Sequence, residues 1–93
     1  MRYITMFKLS ADGRKRYPEA AQLFTTCLEI AEKAGGKVLE TYAVTATYDF
    51  VSITDYPTPE AAFAARLKLL ELGIWEIIEA HEAFDMDLFL SKV

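Results

Sequence analysis

The sequence predicts an α+β fold in which strands and helices follow the order β-α-β-β-α-β, closed by a short C-terminal helix. Three observations carry this reading. Short runs rich in Tyr, Phe, Val, Ile and Thr recur along the chain, most of them bounded by turn residues. Two longer segments open near a proline, repeat apolar residues at helical spacing and stop at glycine. The strand-like runs carry apolar groups on both alternating faces, so they need cover on both sides.

The first strand spans Arg2–Leu9, with Tyr3, Phe7 and Leu9 on one face and Ile4 and Met6 on the other; Ser10-Ala11-Asp12-Gly13 ends it as a turn cluster. Pro18–Ala34 is the clearest helix. Its apolar residues, Leu23, Phe24, Cys27, Leu28 and Ala31 among them, fill one half of a helical wheel, and Gly35-Gly36 stops it. Lys37–Ala46 and Tyr48–Thr54 read as two strands, with a hairpin near Ala46-Thr47. Thr58–Leu72 is the second helix, capped by Thr58, with Pro59 in its first turn and Gly73 beyond its end. It carries more apolar surface than one sheet contact needs. Ile74–Phe84 combines helix-favouring glutamates with strand-favouring Ile and Trp; it is assigned as a strand because Gly73 has already ended a helix. Asp85 then caps a tail helix bearing Leu88, Phe89 and Leu90.

This order is the ferredoxin-like split βαβ pattern, an antiparallel four-stranded sheet with both helices on one face. The opposite face keeps its apolar side chains. Leaving several of them in water forgoes several kcal/mol, at ~25 cal/mol per Å² of apolar surface. A second copy laid sheet against sheet is the expected remedy, giving a homodimer in the form of a dimeric α/β barrel.

Composition bounds the functions. Residues 1–93 suffice for a single domain; 53% are hydrophobic and 13% aromatic, too apolar for a disordered chain. Ten basic against fourteen acidic residues give a net charge of −4, which disfavours a nucleic-acid partner. Charges interrupt every apolar run, so no membrane span is expected, and the N-terminus shows no secretion signal. One cysteine excludes an internal disulfide; together with one histidine it excludes the usual zinc sites. A cytoplasmic location and no metal or other cofactor are expected.

The segments RYITMFKLSADG, GGKVLETY, ATYDFVSITDYPTPEAA and AFDMDLF resemble the GYD-domain proteins, in the same element order over nearly the whole chain. The most distinctive piece is Tyr48-Asp49-Phe50-Val51. The namesake glycine ahead of the Tyr-Asp pair is missing; Ala46 and Thr47 stand there, so the hairpin must be built differently if that glycine supplies a positive φ. The resemblance implies a small dimeric α/β-barrel protein and no particular chemistry. Proteins of the same plan include cofactor-free monooxygenases, haem-degrading enzymes and ligand-sensing domains, and choosing among them by fold is analogy.

Each candidate residue has a functional and a plain structural use. Asp49, a carboxylate in an apolar strand, is a candidate general base beside a Tyr48 or Tyr42 hydroxyl; bonding to turn N–H groups is the commoner use. His81, with Glu79 beside it in alternation, is a candidate proton shuttle or haem ligand, though a single histidine is more often an ordinary strand residue. Cys27 lies in an apolar helix face, where a thiol is inert filling. Arg14-Lys15-Arg16 fits an anion site or, more commonly, a solvated loop. Tyr42, Tyr48, Phe50 and Trp75 are candidates to line a ligand cavity between facing sheets, or to fill it. The expected function is a small homo-oligomeric module that binds a small apolar or aromatic ligand between those sheets. The alternative is a cofactor-independent monooxygenase-like or haem-binding enzyme using Asp49 and His81.

Overall fold

The computed structural model describes residues 1–93. The elements are β1 (Arg2–Leu9), α1 (Ala11–Lys15), a 3-10 turn (Tyr17–Glu19), α2 (Ala20–Lys33), β2 (Lys37–Ala43), β3 (Phe50–Asp55), α3 (Pro59–Leu70), β4 (Trp75–Ala83) and α4 (Met86–Lys92). The strands form one antiparallel sheet in the order β2-β3-β1-β4, the expected ferredoxin-like arrangement. The segment with mixed propensity is a strand, β4. No helix is long and apolar enough to cross a membrane.

Several boundaries differ from the sequence reading for local reasons. The Ser10–Gly13 cluster is not a plain turn: the Ser10 hydroxyl accepts a 3.0 Å bond from the Gly13 N–H and caps α1. Arg14-Lys15 is therefore helical rather than loop. Pro18 lies in the 3-10 turn, so α2 starts at Ala20. At the other helix the expected signals act as written. The Thr58 hydroxyl accepts from the Ala61 N–H at 3.1 Å and Pro59 opens α3. Gly35 (φ +87°) and Gly73 (φ +71°) take the left-handed conformation that ends each helix.

Antiparallel register assigns the side chains to faces. One face carries Tyr3, Thr54 and Val38, which meet the helices: Tyr3 and Tyr56 stack edge to face, with centroids 6.0 Å apart, against Ala31 of α2 and Ala65 of α3. The other face presents two rows that cross all four strands. These are Tyr42–Val51–Met6–Glu79 and Glu40–Ile53–Ile4–His81. Their centres are aliphatic and their edges polar. No helix covers this face, and Ile4 is 38% exposed. α3 and α4 also leave large apolar groups in water, including Phe63, Leu67, Phe89 and Leu90.

β2 ends at Ala43, three residues short of the expected boundary, and a loop from Val44 to Asp49 joins it to β3. The Val44 N–H donates to the Asp49 carbonyl at 2.9 Å and closes this loop. To complete it, Ala46 takes φ +110°, so the positive φ falls one residue ahead of Thr47, which directly precedes the Tyr-Asp pair. A side chain there costs about 1–3 kcal/mol, whereas glycine costs about 0.5–1 kcal/mol in extra unfolded-state entropy. Ala46→Gly is therefore expected to raise stability by about 1 kcal/mol, read from the urea midpoint at unchanged slope; a lower midpoint would show that the loop is unstrained.

Candidate functional site

The helix-facing row next to Tyr3 reads Thr41–Ser52–Thr5–Ala80 across β2, β3, β1 and β4. All four side chains are short. The adjoining row, Ala43–Phe50–Phe7–Ile78, is bulky in its middle. A helix resting on such a surface is held up by the rings on either side and cannot touch the floor between them. The result is a cavity of about 460 Å³ between the sheet and α2, within the range of small-molecule sites. Leu23, Phe24, Cys27 and Leu28 of α2 form its roof, and Arg16 and Arg66 belong to its lining.

Trp75 closes one end. Its ring packs 4.8 Å from Phe7 and 6.1 Å from Phe50. Its indole Nε1–H is buried without an acceptor. Placement of Phe50 and Trp75 corrects the sequence reading: both stand on the helix side, so neither lines a space between facing sheets. Phe50 shares the face of Phe7, its β1 partner. Trp75 would share the open face of Ile77 in a regular strand. The register shift between Lys8 and Leu9 instead sets it opposite Leu9 on the helix side.

Tyr42 and Tyr48 belong to the open face. The Tyr42 hydroxyl donates to Glu40 at 2.6 Å. The Tyr48 hydroxyl donates to Glu79 at 3.0 Å, and the other Glu79 oxygen lies 2.8 Å from His81 Nε2. Bonds from His81 and then Tyr48 hold the Glu79 carboxyl below its ordinary range, while Glu79 pushes the Tyr48 phenol up. By sign, a lowered carboxyl contributes stability above its unfolded pKa and loses it as pH falls through the lowered value.

Asp49 does not join this chain. Its carboxylate accepts the Leu9 N–H at 2.8 Å, its own N–H donates to the Phe7 carbonyl at 2.8 Å, and the Arg14 guanidinium stands 3.9 Å away. Asp49 thus ties the start of β3 to the end of β1. His81 pairs with Ile4, five residues along β1, or about 16 Å at ~3.3 Å per residue. The structure therefore does not bring Asp49 and His81 to one reacting centre. Of the basic cluster, Arg14 faces Asp49 and Arg16 is held by both Glu19 oxygens at 3.0 and 3.1 Å. Cys27 is half-buried in the cavity roof, where burial pushes its thiol from 9.0 up to about 11.

The sequence reading missed the floor residues Thr5, Thr41, Ser52 and Ala80, and also Arg66. Their signal was there, as short side chains at positions that share a face with large rings, but it becomes visible only once the register is known.

Fold and site together define a small α+β module with an apolar chamber on the helix side and an uncovered aliphatic sheet face on the other. The GYD domain family model matches residues 3–93, and the chain belongs to that family. No curated protein matches it. Among solved structures it is similar to MtbAldR, at 10% identity and TM-score 0.66, covering 90% of this chain and 52% of that one. The chain thus spans about half of MtbAldR. It is also similar to 5-chloro-2-hydroxyhydroquinone dehydrochlorinase from Burkholderia phenoliruptrix, solved in complex with 2,5-dihydroxybenzoquinone, at 11% identity and TM-score 0.65 over 90% and 94% of the two chains. A third is a NIPSNAP domain protein from Burkholderia xenovorans, at 13% identity and TM-score 0.58 over 90% and 92%. At such identities the likeness establishes the fold alone, the ferredoxin-like α+β arrangement.

Two outcomes follow from this geometry. Asp49→Ala strands the N–H of buried Leu9 and should cost about 1–2 kcal/mol in urea unfolding; an unchanged midpoint would remove its structural role. Cys27, whose thiol burial pushes from 9.0 up to about 11, should react with iodoacetamide at pH 8 at least about tenfold more slowly than a free thiol.

Proposed function

We propose that this protein is a homodimeric module that binds one small apolar or aromatic molecule per chain, in the chamber under α2. The observation that carries the reading is the cavity itself, about 460 Å³ with 21 hydrophobic residues among its 28 lining residues. A void of that size left empty costs the fold dispersion contacts and stability. A ligand restores them. This revises the expected location of the ligand from between the sheets to within each protomer, because Phe50 and Trp75, two of the four rings expected between the sheets, face the helices. The planar ring bound by the dehydrochlorinase, a protein of the same fold, supports a flat ligand.

The dimer half of the proposal rests on the open face. Its aliphatic centre of Ile4, Met6, Val51 and Ile53, flanked by polar edge strands, has the anatomy of an interface core and rim. A second copy provides a matching surface through two-fold symmetry. The exposed apolar residues of α4 add to what a partner would cover. A catalytic role for Asp49 and His81 gains no support from their separation, and the Tyr48–Glu79–His81 chain lies on the face assigned to the partner.

Light scattering is expected to give twice the 10.5 kDa chain mass, and Ile4→Glu to return it to a single chain with the circular dichroism kept. A wild-type monomer at micromolar concentration would remove the dimer. Separately, N-phenyl-1-naphthylamine, a neutral probe, should brighten on binding; Ser52→Leu, which fills the floor, should abolish that signal while raising stability. A probe signal unaffected by Ser52→Leu would place binding elsewhere.

A further inference from the structure

The chamber is apolar, yet its lining holds one cation without a protein partner. That cation is Arg66. On α3 the residues that line the chamber are Ala62, Arg66 and Leu69, a stripe at helical spacing in which a cation interrupts two apolar groups. Arg66 is exposed and takes part in none of the ion pairs or side-chain hydrogen bonds. Arg16, the other lining arginine, is already held by Glu19 through both oxygens. The free positive charge of the lining is therefore Arg66, on an otherwise acidic chain of net charge −4.

We propose that the ligand is a small aromatic acid. The rings Phe7, Phe50 and Trp75 take the aromatic body and Arg66 takes the carboxylate. This rests on the reading of the chamber as a ligand site and adds the ligand's chemical class. A guanidinium matches a carboxylate with two parallel donors. Because Arg66 is exposed, its contribution is reduced by water and weakened by salt. Apolar burial supplies the affinity, and the arginine supplies the preference for an acid.

The test is calorimetric titration of the whole protein with 6-hydroxy-2-naphthoate and with 2-naphthol, which keeps the ring and the hydroxyl but lacks the carboxylate. The acid is expected to bind about tenfold more tightly at low salt, the scale of one charge-assisted contact. Arg66→Gln should erase that difference and leave naphthol binding unchanged. Raising the salt should weaken the acid alone. The acid should also slow alkylation of Cys27, the single cysteine, which sits in the chamber roof. Equal binding of both compounds to wild type, or an acid preference that survives Arg66→Gln, overturns the proposed ligand class and leaves the chamber as an apolar site. Binding of neither compound, with no protection of Cys27, overturns the chamber reading itself. Since Arg66 is exposed on the helix surface, its substitution leaves the core untouched.

Discussion

β1 lies at the centre of the sheet, with β3 on one side and β4 on the other, so the side chains of this one strand decide what each face of the sheet can hold. Its odd residues face the helices and its even residues face away. On the helix side the sequence is Tyr3, Thr5, Phe7, large then short then large, and the neighbouring strands repeat the short step with Ser52, Thr41 and Ala80 in register. Protein interiors are packed as densely as organic crystals, and a helix is too stiff to bend into a one-row trough. The short row therefore becomes a chamber, and the tightest core is confined to the Tyr3–Tyr56–Ala31–Ala65 cluster beyond it. No large side chain in the protein is completely enclosed.

The even residues of β1 pose the opposite problem. Ile4 and Met6, with Val51 and Ile53 of β3, make an aliphatic strip at the middle of the two central strands, bordered by Arg2, Lys8 and Asp55 at the strand ends and by charged and hydroxyl groups on the edge strands β2 and β4. In a sheet that faced water alone, polar residues would be expected along the middle as well, giving the usual alternation of apolar-in and polar-out. The Tyr48–Glu79–His81 chain fits this arrangement. Three polar groups on an edge satisfy one another laterally, which lets them border an apolar contact without leaving an unpaired donor or acceptor.

The order of elements was legible in the sequence because each boundary rests on local chemistry. Thr58-Pro59, Gly35-Gly36 and Gly73 each act over a few residues and need no tertiary context. Boundaries failed where a tertiary bond decided them. β2 stops at Ala43 because the Asp49 N–H and carboxylate gather the loop back onto β1, a contact across forty residues that no local pattern announces. Faces were legible for β1, where alternation is regular, and misread for Trp75, where a register shift turns the strand over. The chamber was illegible for a related reason: Thr5, Thr41, Ser52 and Ala80 are unremarkable one at a time, and only the pairing of four strands makes them a row. For Asp49 the expected partners were turn N–H groups; its carboxylate instead accepts the Leu9 N–H of β1.

Chamber and aliphatic face lie on opposite sides of the same strands, which constrains how they can communicate. Ser52 forms part of the floor, while Val51 and Ile53, its chain neighbours, belong to the open face. A second copy pressed against Val51 and Ile53 holds β3 in place through its backbone and so steadies the floor without touching a ligand. In such a dimer the roof, the floor and the Trp75 end of each chamber come from one chain. The partner's contribution is then rigidity rather than side chains. If both proposals hold, pairing lowers the ordering cost of ligand binding, and occupancy of the chamber and pairing of the sheets strengthen one another by the same factor in both directions.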